Sequence, residues 1–400
     1  MLEMSIGDKV SLEFEDKLDI LKEEYKLADP ETLSELLLVC DGSLKKTRAI
    51  LDETFQRTLS SKHALYQSSI TSMFMGSKKR KVEQPKKLEQ PGDNERTRII
   101  TLYDEHQVKE FLHPYVSLHK NFTPHKLSNV MLQYLMENKH KFSPTEFYMF
   151  EKKCKSDHSS GMLYLPGAVN TDDMYYNGVR HNTYELDNEL LEVTDLVNSY
   201  LNDEIIPKYP KLPFQQPDFK CSGCVVNYYE NLSNKLDWHS DRLQSIGPHC
   251  YIASLSLGST REFRLRRHSQ PKIIYSIHLP HNSLLLMHPG CQELFKHCVN
   301  PLKKTLQMNS LSQSSRFNLT FRYFPPNFTA HRPKCKCDLP MVLRRSYKSP
   351  NDENFGKYHW TCENVYMNKD CHTFHWADFN DPDNNFISQD NDSVSKWDGQ

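Results

Sequence analysis

Three stretches of this chain, 224–229, 251–257 and 317–324, alternate apolar and polar residues with a period of two. That period belongs to pleated strands, whose successive side chains point to opposite faces. A helical period near 190–206 precedes them. Many strands within 99–328 leave a sandwich or a double-sheet jelly roll as the expected core. The flanks differ. Residues 59–98 hold no period and are rich in Ser, Lys, Gln and Pro, so they read as a linker. Residues 9–58 read as a small three-helix bundle, with Asp29 placed to cap a helix that opens at Pro30, and Ser43 placed to cap the next. Residues 331–378 gather Cys335, Cys337, Cys362 and Cys371, and 379–400 read as an acidic, disordered tail. The expected class is therefore a multidomain α+β chain: helical bundle, jelly-roll core and Cys-rich module.

Composition narrows the function. With 38% hydrophobic and 25% charged residues the chain is polar for one compact globule, in keeping with modules joined by hydrophilic linkers. A formal charge of -1 means that nucleic-acid affinity must come from local patches. No apolar run approaches the ~20 residues that cross a bilayer, so no membrane partner is expected. The first residues have no apolar signal segment, and the 11 Cys are expected to be reduced thiols.

The chemistry concentrates in the alternating region. His239-Ser240-Asp241 puts an imidazole and a carboxylate at i, i+2, on one side of extended chain. Alone, that pair reads as an ordinary surface His beside an Asp. His297 follows a strand at 283–287, and Arg316-Phe317-Asn318-Leu319-Thr320-Phe321-Arg322 sets two Arg on one strand face. Two His and one carboxylate match the facial triad of non-haem Fe(II) oxygenases, which leaves metal positions open. A dicarboxylate co-substrate needs a buried cation, and Arg offers a bidentate fork for it. Asn227 and Tyr229, on the strand leading to the metal loop, supply neutral donors.

On these residues the stretch 175–324 resembles the AlkB family of Fe(II)/2-oxoglutarate dioxygenases. The resemblance implies His239, Asp241 and His297 as iron ligands, with Arg316 pairing the distal carboxylate of 2-oxoglutarate. Asn227, Tyr229, Asn318 and Arg322 would complete that site. It implies oxidative demethylation of N-alkylated bases, of the 1-methyladenine and 3-methylcytosine type, in DNA. Decarboxylation of 2-oxoglutarate is coupled there to hydroxylation of the alkyl group and release of formaldehyde. It also implies a nucleotide lid at about 150–185, where Tyr176 matches the aromatic that stacks on a flipped base. One position departs: Leu243 stands where DNA-repairing members often carry an acid, two residues beyond the metal Asp.

Cys335-Lys336-Cys337, Cys362 and Cys371 suffice for tetrahedral zinc. With Trp360 and Trp376 between and after them, the module resembles a GRF-type zinc finger, except that Asp338 replaces the usual Gly. Arg344, Arg345 and Lys357, interleaved with Trp360 and Trp376, suit backbone neutralisation and base stacking on single strands. Residues 9–58 resemble a CUE-type ubiquitin-binding bundle, lacking its Met-Phe-Pro. Gln67, Ile70 and Phe74 resemble the sliding-clamp peptide, with Met73 replacing one aromatic, and Lys78-Lys79-Arg80-Lys81 reads as a nuclear import signal. The expectation is a nuclear repair enzyme; the competing readings are a non-catalytic nucleic-acid and ubiquitin-binding scaffold, or the same chemistry on RNA.

Overall fold

A computed structural model describes residues 14–25, 33, 37, 43–49, 51–52, 97–149, 152–165, 175–176, 179–180, 183–185, 188–347, 351–362 and 371–399. The chain divides into two compact units, Met1–Pro91 and Gly92–Gln400. In the first, α1 (Phe14–Glu24) buries Leu18 and Leu21, and Leu33, Leu37 and Leu51 are buried too. Arg48 closes a two-pronged ion pair on Glu24 at 2.6 and 2.7 Å. Residues 44–49 are helical, whereas most of the expected middle helix lies outside the described residues. So do Gln67, Ile70, Phe74 and the basic run 78–82. Among the described residues no helix is long and apolar enough to cross a membrane.

The second unit opens with β1 (Arg98–Leu102), α2 (Glu105–Leu112), β2 (Val116–Lys120) and α3 (His125–Glu137). Next come β3 (Ser143–Met149), β4 (Lys152–Tyr164), the short β5 (Tyr175–Tyr176), β6 (Val179–Arg180) and β7 (Thr183–Glu185), and then α4 (Asn188–Ser199). The helical period near 190–206 is α4 continued by a π-helical turn, Tyr200–Ile205. After it the chain is mostly strand: β8 (Gly223–Tyr229), β9 (Leu236–His239), β10 (Ile252–Gly258), β11 (Arg261–Arg267), β12 (Gln270–Leu279), β13 (Ser283–Met287), β14 (Phe295–Val299) and β15 (Arg316–Arg322). Three one-turn helices punctuate it: α5 (Leu243–Ile246), α6 (Cys291–Leu294) and α7 (Pro326–Ala330).

These strands form the two facing sheets of a jelly roll. The major sheet runs β2-β13-β10-β15-β8-β4-β3 with β7 beside β4, and the minor one runs β1-β12-β11-β14-β9. About a third of the lid region expected at 150–185 is thus a long strand, β4, paired with β8 from Ser159↔Tyr228 to Tyr164↔Gly223. Alternation decides which residues go where. Phe317, Leu319 and Phe321 of β15, with Ala253, Leu255 and Leu257 of β10, pack on α3 and α4 through Met131, Leu132, Leu135, Val193 and Val197. The opposite face looks between the sheets, where Leu118, Ile252, Leu285 and Met287 meet Phe263, Leu265, Ile277 and Val299. Arg316, Asn318 and Thr320 share that inner face and are buried.

The Cys-rich module folds around a three-stranded sheet, β16 (Val342–Arg345), β17 (Tyr358–Thr361) and β18 (Phe374–Trp376). The acidic segment after it is not a solvated tail, contrary to expectation. Phe386 and Trp397 are buried with Met341, Leu343, Tyr358 and Trp360 in one cluster. Backbone bridges Ala377↔Ile387 and Lys357↔Lys396 tie the segment down. Two apolar anchors in a polar run are enough, because the acids between them stay in water while the rings fill the core.

Candidate active site

The sheets bring the two expected imidazoles together directly: His239 at the end of β9 lies opposite His297 on β14. Their ring centroids are 4.2 Å apart. Nδ1 of His239 lies 2.7 Å from the Asp237 carbonyl, which can only accept. Nδ1 therefore carries the proton and the Nε2 lone pair is left for a ligand. Nε2 of His239 and of His297 face the same oxygen, Asp241 Oδ1, at 3.7 and 3.9 Å. The three donor atoms lie within 4.8 Å of one another, a span that a single ion can bridge.

Charge around this set is balanced from one side. Arg322 donates through Nε and Nη2 to Asp241 Oδ2 at 2.8 and 2.6 Å, leaving Oδ1 to the imidazoles. Burial alone would raise the Asp241 carboxyl; Arg322, then His297 and His239, bring it down to about 2. Burial, with His239 beside it, pushes His297 down to about 3. Carboxylate and neutral imidazole are the protonation states that bind a metal.

The expected co-substrate residues lie on the inner face of β15 and its neighbours, in the registers Gly258↔Arg316↔Tyr229 and Ser256↔Asn318↔Asn227. Arg316 is 1% exposed and donates Nη2 to Ser256 Oγ at 2.8 Å. Its Nε and Nη1, and the Tyr229 hydroxyl, have no hydrogen-bond partner among the described residues. The guanidinium lies 5.3 Å from the Tyr229 ring centroid. Burial lowers Arg316 to about 10, so it stays a cation at neutral pH. An unpaired buried cation costs on the order of several kcal/mol, which an acidic ligand would recover. Asn318 is held by Ser254 Oγ at 2.7 Å and accepts from Thr320 Oγ1 at 3.0 Å. Arg322 sits on the Asp241 carboxylate, at the far end of the strand from Arg316.

Sequence reasoning missed His158. It stacks on Tyr229 with centroids 5.4 Å apart, contacts the Lys235 carbonyl through Nδ1 at 3.0 Å, and is within reach of the Asn227 amide. Its strand begins Lys-Lys-Cys-Lys-Ser-Asp-His, without apolar alternation, so nothing marked it as inward-facing. Ser254 and Ser256 were also missed, although they occupy the polar positions of an alternating strand and could have been singled out there.

The four thiols Cys335, Cys337, Cys362 and Cys371 lie within 4.8 Å of one another, as the spacing predicts. Asp338, the residue after the second cysteine, has φ +61, the left-handed backbone for which glycine is favoured. Two expected base contacts are corrected. Trp360 is fully buried and donates Nε1–H to the Phe386 carbonyl at 3.0 Å. Arg345 is 3% exposed, with Nε and Nη2 on the Trp397 carbonyl at 3.0 and 2.7 Å. Both point inward because they sit on the sheet face that the C-terminal segment covers. Arg344, His359 and Trp376 line up on the opposite face. There Arg344 is exposed, Trp376 is partly exposed, and the Lys357 ammonium lies 5.3 Å from the Trp376 ring centroid. Tyr176 falls on β5, paired with Val179; its side chain lies outside the described residues.

The sequence model of the 2OG-Fe(II) oxygenase superfamily matches residues 115–322, more than half of the chain. The chain belongs to that superfamily, whose members use Fe(II) and 2-oxoglutarate. It is 31% identical over 128 residues to the alpha-ketoglutarate-dependent dioxygenase alkB homolog 3 of Rattus norvegicus, a match spanning 30% of this chain and 41% of the rat protein. It is 25% identical over 228 residues to the DNA oxidative demethylase ALKBH2 of Arabidopsis thaliana, spanning 51% of this chain and 64% of that protein. A solved structure titled "The structure of OsALKBH1" overlaps 53% of this chain and 99% of its own at TM-score 0.40 and 20% identity. The matches to both curated relatives thus span less than two thirds of their length.

Proposed function

We propose that this chain is an Fe(II)/2-oxoglutarate dioxygenase that demethylates N-alkylated bases in DNA. The observation that carries the reading is the pairing of the His239–Asp241–His297 donor set with a buried Arg316 whose guanidinium is only partly hydrogen-bonded. The donor set suits Fe(II): mixed imidazole and carboxylate, without thiolate. The cradle suits a dicarboxylate, whose distal end would complete Arg316 and meet the Tyr229 hydroxyl. When bound, iron and 2-oxoglutarate supply the oxidation of the alkyl carbon.

The chain's own residues bind, orient and exclude water. Arg322 neutralises the outer oxygen of Asp241 and so fixes which oxygen faces the metal. Asp237 fixes the tautomer of His239, and Phe263, stacked on His297 at 5.3 Å, shields that ring. His158 and Tyr229 close the inner wall. The alkylated base would enter from the β4–β7 side, with Tyr176 as its stacking partner.

The alkB homolog 3 match supports the 2-oxoglutarate-dependent dioxygenase reaction, and the Arabidopsis relative's name, a DNA oxidative demethylase, supports DNA as the substrate. We further propose zinc at the four thiols, and single-stranded nucleic acid on the outward face built by Arg344, Lys357 and Trp376. The N-terminal unit is proposed to bind ubiquitin, residues 67–74 the sliding clamp, and the basic run to direct the chain to the nucleus. The decisive assay follows formaldehyde from oligonucleotides carrying 1-methyladenine or 3-methylcytosine, with Fe(II) and 2-oxoglutarate. Wild type should release it and His239→Ala should not. An inactive wild type on both DNA and RNA panels would leave the scaffold reading in its place.

A further inference from the structure

The metal loop is held from behind, and the residues that hold it lead away from the jelly roll. Gln292, on α6 and 2% exposed, accepts the Asp241 backbone N–H through Oε1 at 2.7 Å. Its own amide nitrogen rests on Met287 Sδ at 3.3 Å, so the side chain is fixed at both ends. One residue earlier in the loop, Ser240 Oγ donates to the Phe295 carbonyl at 2.7 Å.

The helix that carries Gln292 lies under the C-terminal segment. A Cβ on Gly290, just before α6, would meet the Trp397 ring at 2.7 Å, so indole and backbone are in contact there. Trp397 also packs edge-on against His249, with centroids 4.4 Å apart. Arg345 of β16 holds the Trp397 carbonyl and reaches the Glu293 carbonyl with Nη1 at 3.4 Å. Glu293 Oε1 accepts the His249 backbone N–H at 2.8 Å. On the other side of Asp241, α5 sends Leu243 into the cluster of Phe328, Met341, Leu343 and Trp360. The residue at the family's acid position is therefore part of the Cys module's core.

We infer that Gln292 is a positioning residue for the Asp241 ligand, and that the C-terminal segment clamps it through Trp397 and Arg345. The Cys-rich module thus braces the metal loop from both sides. The inference rests on the metal-site reading above. Its physical basis is that a carboxylate ligand must be held to within about 0.5 Å, and that removing an outer partner of a ligand lowers metal affinity by roughly 10–100-fold.

The test is Mn(II) titration of the iron-free full chain, with free Mn(II) read by electron paramagnetic resonance. Mn(II) is chosen because it favours oxygen and nitrogen donors over the four thiols. Gln292→Met keeps the volume and removes the acceptor; it should weaken Mn(II) binding by roughly 10–100-fold. Trp397→Ala should weaken it less, by a few-fold. Circular dichroism confirms folding at the titration temperature, and Trp397→Phe replaces Trp397→Ala if the latter unfolds. Wild-type affinity in Gln292→Met overturns the positioning role, and wild-type affinity in the Trp397 variant overturns the clamp. A wild-type chain that takes up no Mn(II) removes the metal-site reading, and the brace with it.

Discussion

The two ligand sets of this chain are built in opposite ways. His239 and His297 sit opposite each other on neighbouring strands of a sheet, and Asp241 is held by Arg322 and Gln292 before any metal is considered. The four thiols lie on a module whose sheet has three short strands and whose core is shared with the segment that follows it. One site is preorganised by its surroundings. In the other, a metal would do much of the organising, as zinc does in short modules of this kind. A site that exists without its metal can afford open coordination positions, whereas a site that holds a fold together uses all four ligands.

Arg316 is where the preorganised site should lose function without losing fold. Arg316→Met removes the buried cation but keeps much of its volume. Breaking a buried charge pair costs ~3–5 kcal/mol, so 2-oxoglutarate binding should weaken by at least about a hundredfold. Mn(II) affinity and the melting temperature should hold or rise, because an uncompensated buried charge has gone. A 2-oxoglutarate affinity within a few-fold of wild type would mean that the cradle serves something else.

Chelation should separate the two regions next. Removing zinc, or replacing Cys371 with Ser, should open the module, because structural zinc sites contribute folding energy outright. Limited proteolysis should then cut within 331–399 while the jelly roll keeps its far-UV signal. Mn(II) affinity should fall as well, since the brace on Gln292 loosens. A module that resists protease equally with and without zinc would place its stability in the Trp360–Phe386–Trp397 core instead.

Legibility followed the same division. The grouping of His239, Asp241 and His297 was readable because few residue types, imidazole and carboxylate, offer such donors. The strands around them were readable from alternation, but alternation was ambiguous about environment. In β15 the polar half of the pattern, Arg316, Asn318 and Thr320, is buried like the apolar half, because it faces the space between the two sheets instead of solvent. The same ambiguity misled at Arg345 and Trp360, which chemistry allows on either face of β16 and β17. Which face the acidic segment would cover depends on Phe386 and Trp397, two aromatics in a polar run that composition alone assigns to solvent. Gln292 and His158 carried no signal: each matters through one contact across the fold, and no period or spacing encodes that.

The smallest effect tests the Cys-rich side most finely. Asp338 follows the second cysteine at φ +61, where a Cβ crowds the backbone, and Gly relieves that strain. Its carboxylate contributes little in return: it is 91% exposed and 4.0 Å from the Lys334 ammonium. Gly carries an entropy cost in the unfolded chain, so the net gain from Asp338→Gly should be about 0.5–1 kcal/mol. If the module's fold and its metal site are one equilibrium, that gain appears as a two- to five-fold tighter zinc site in competition with a chromophoric chelator. The Mn(II) affinity of the jelly roll should not change, since the folded module already holds Trp397 and Arg345 against α6. Unchanged zinc affinity would mean that the turn is already formed without the metal, and that the two ligand sets differ less than their surroundings imply.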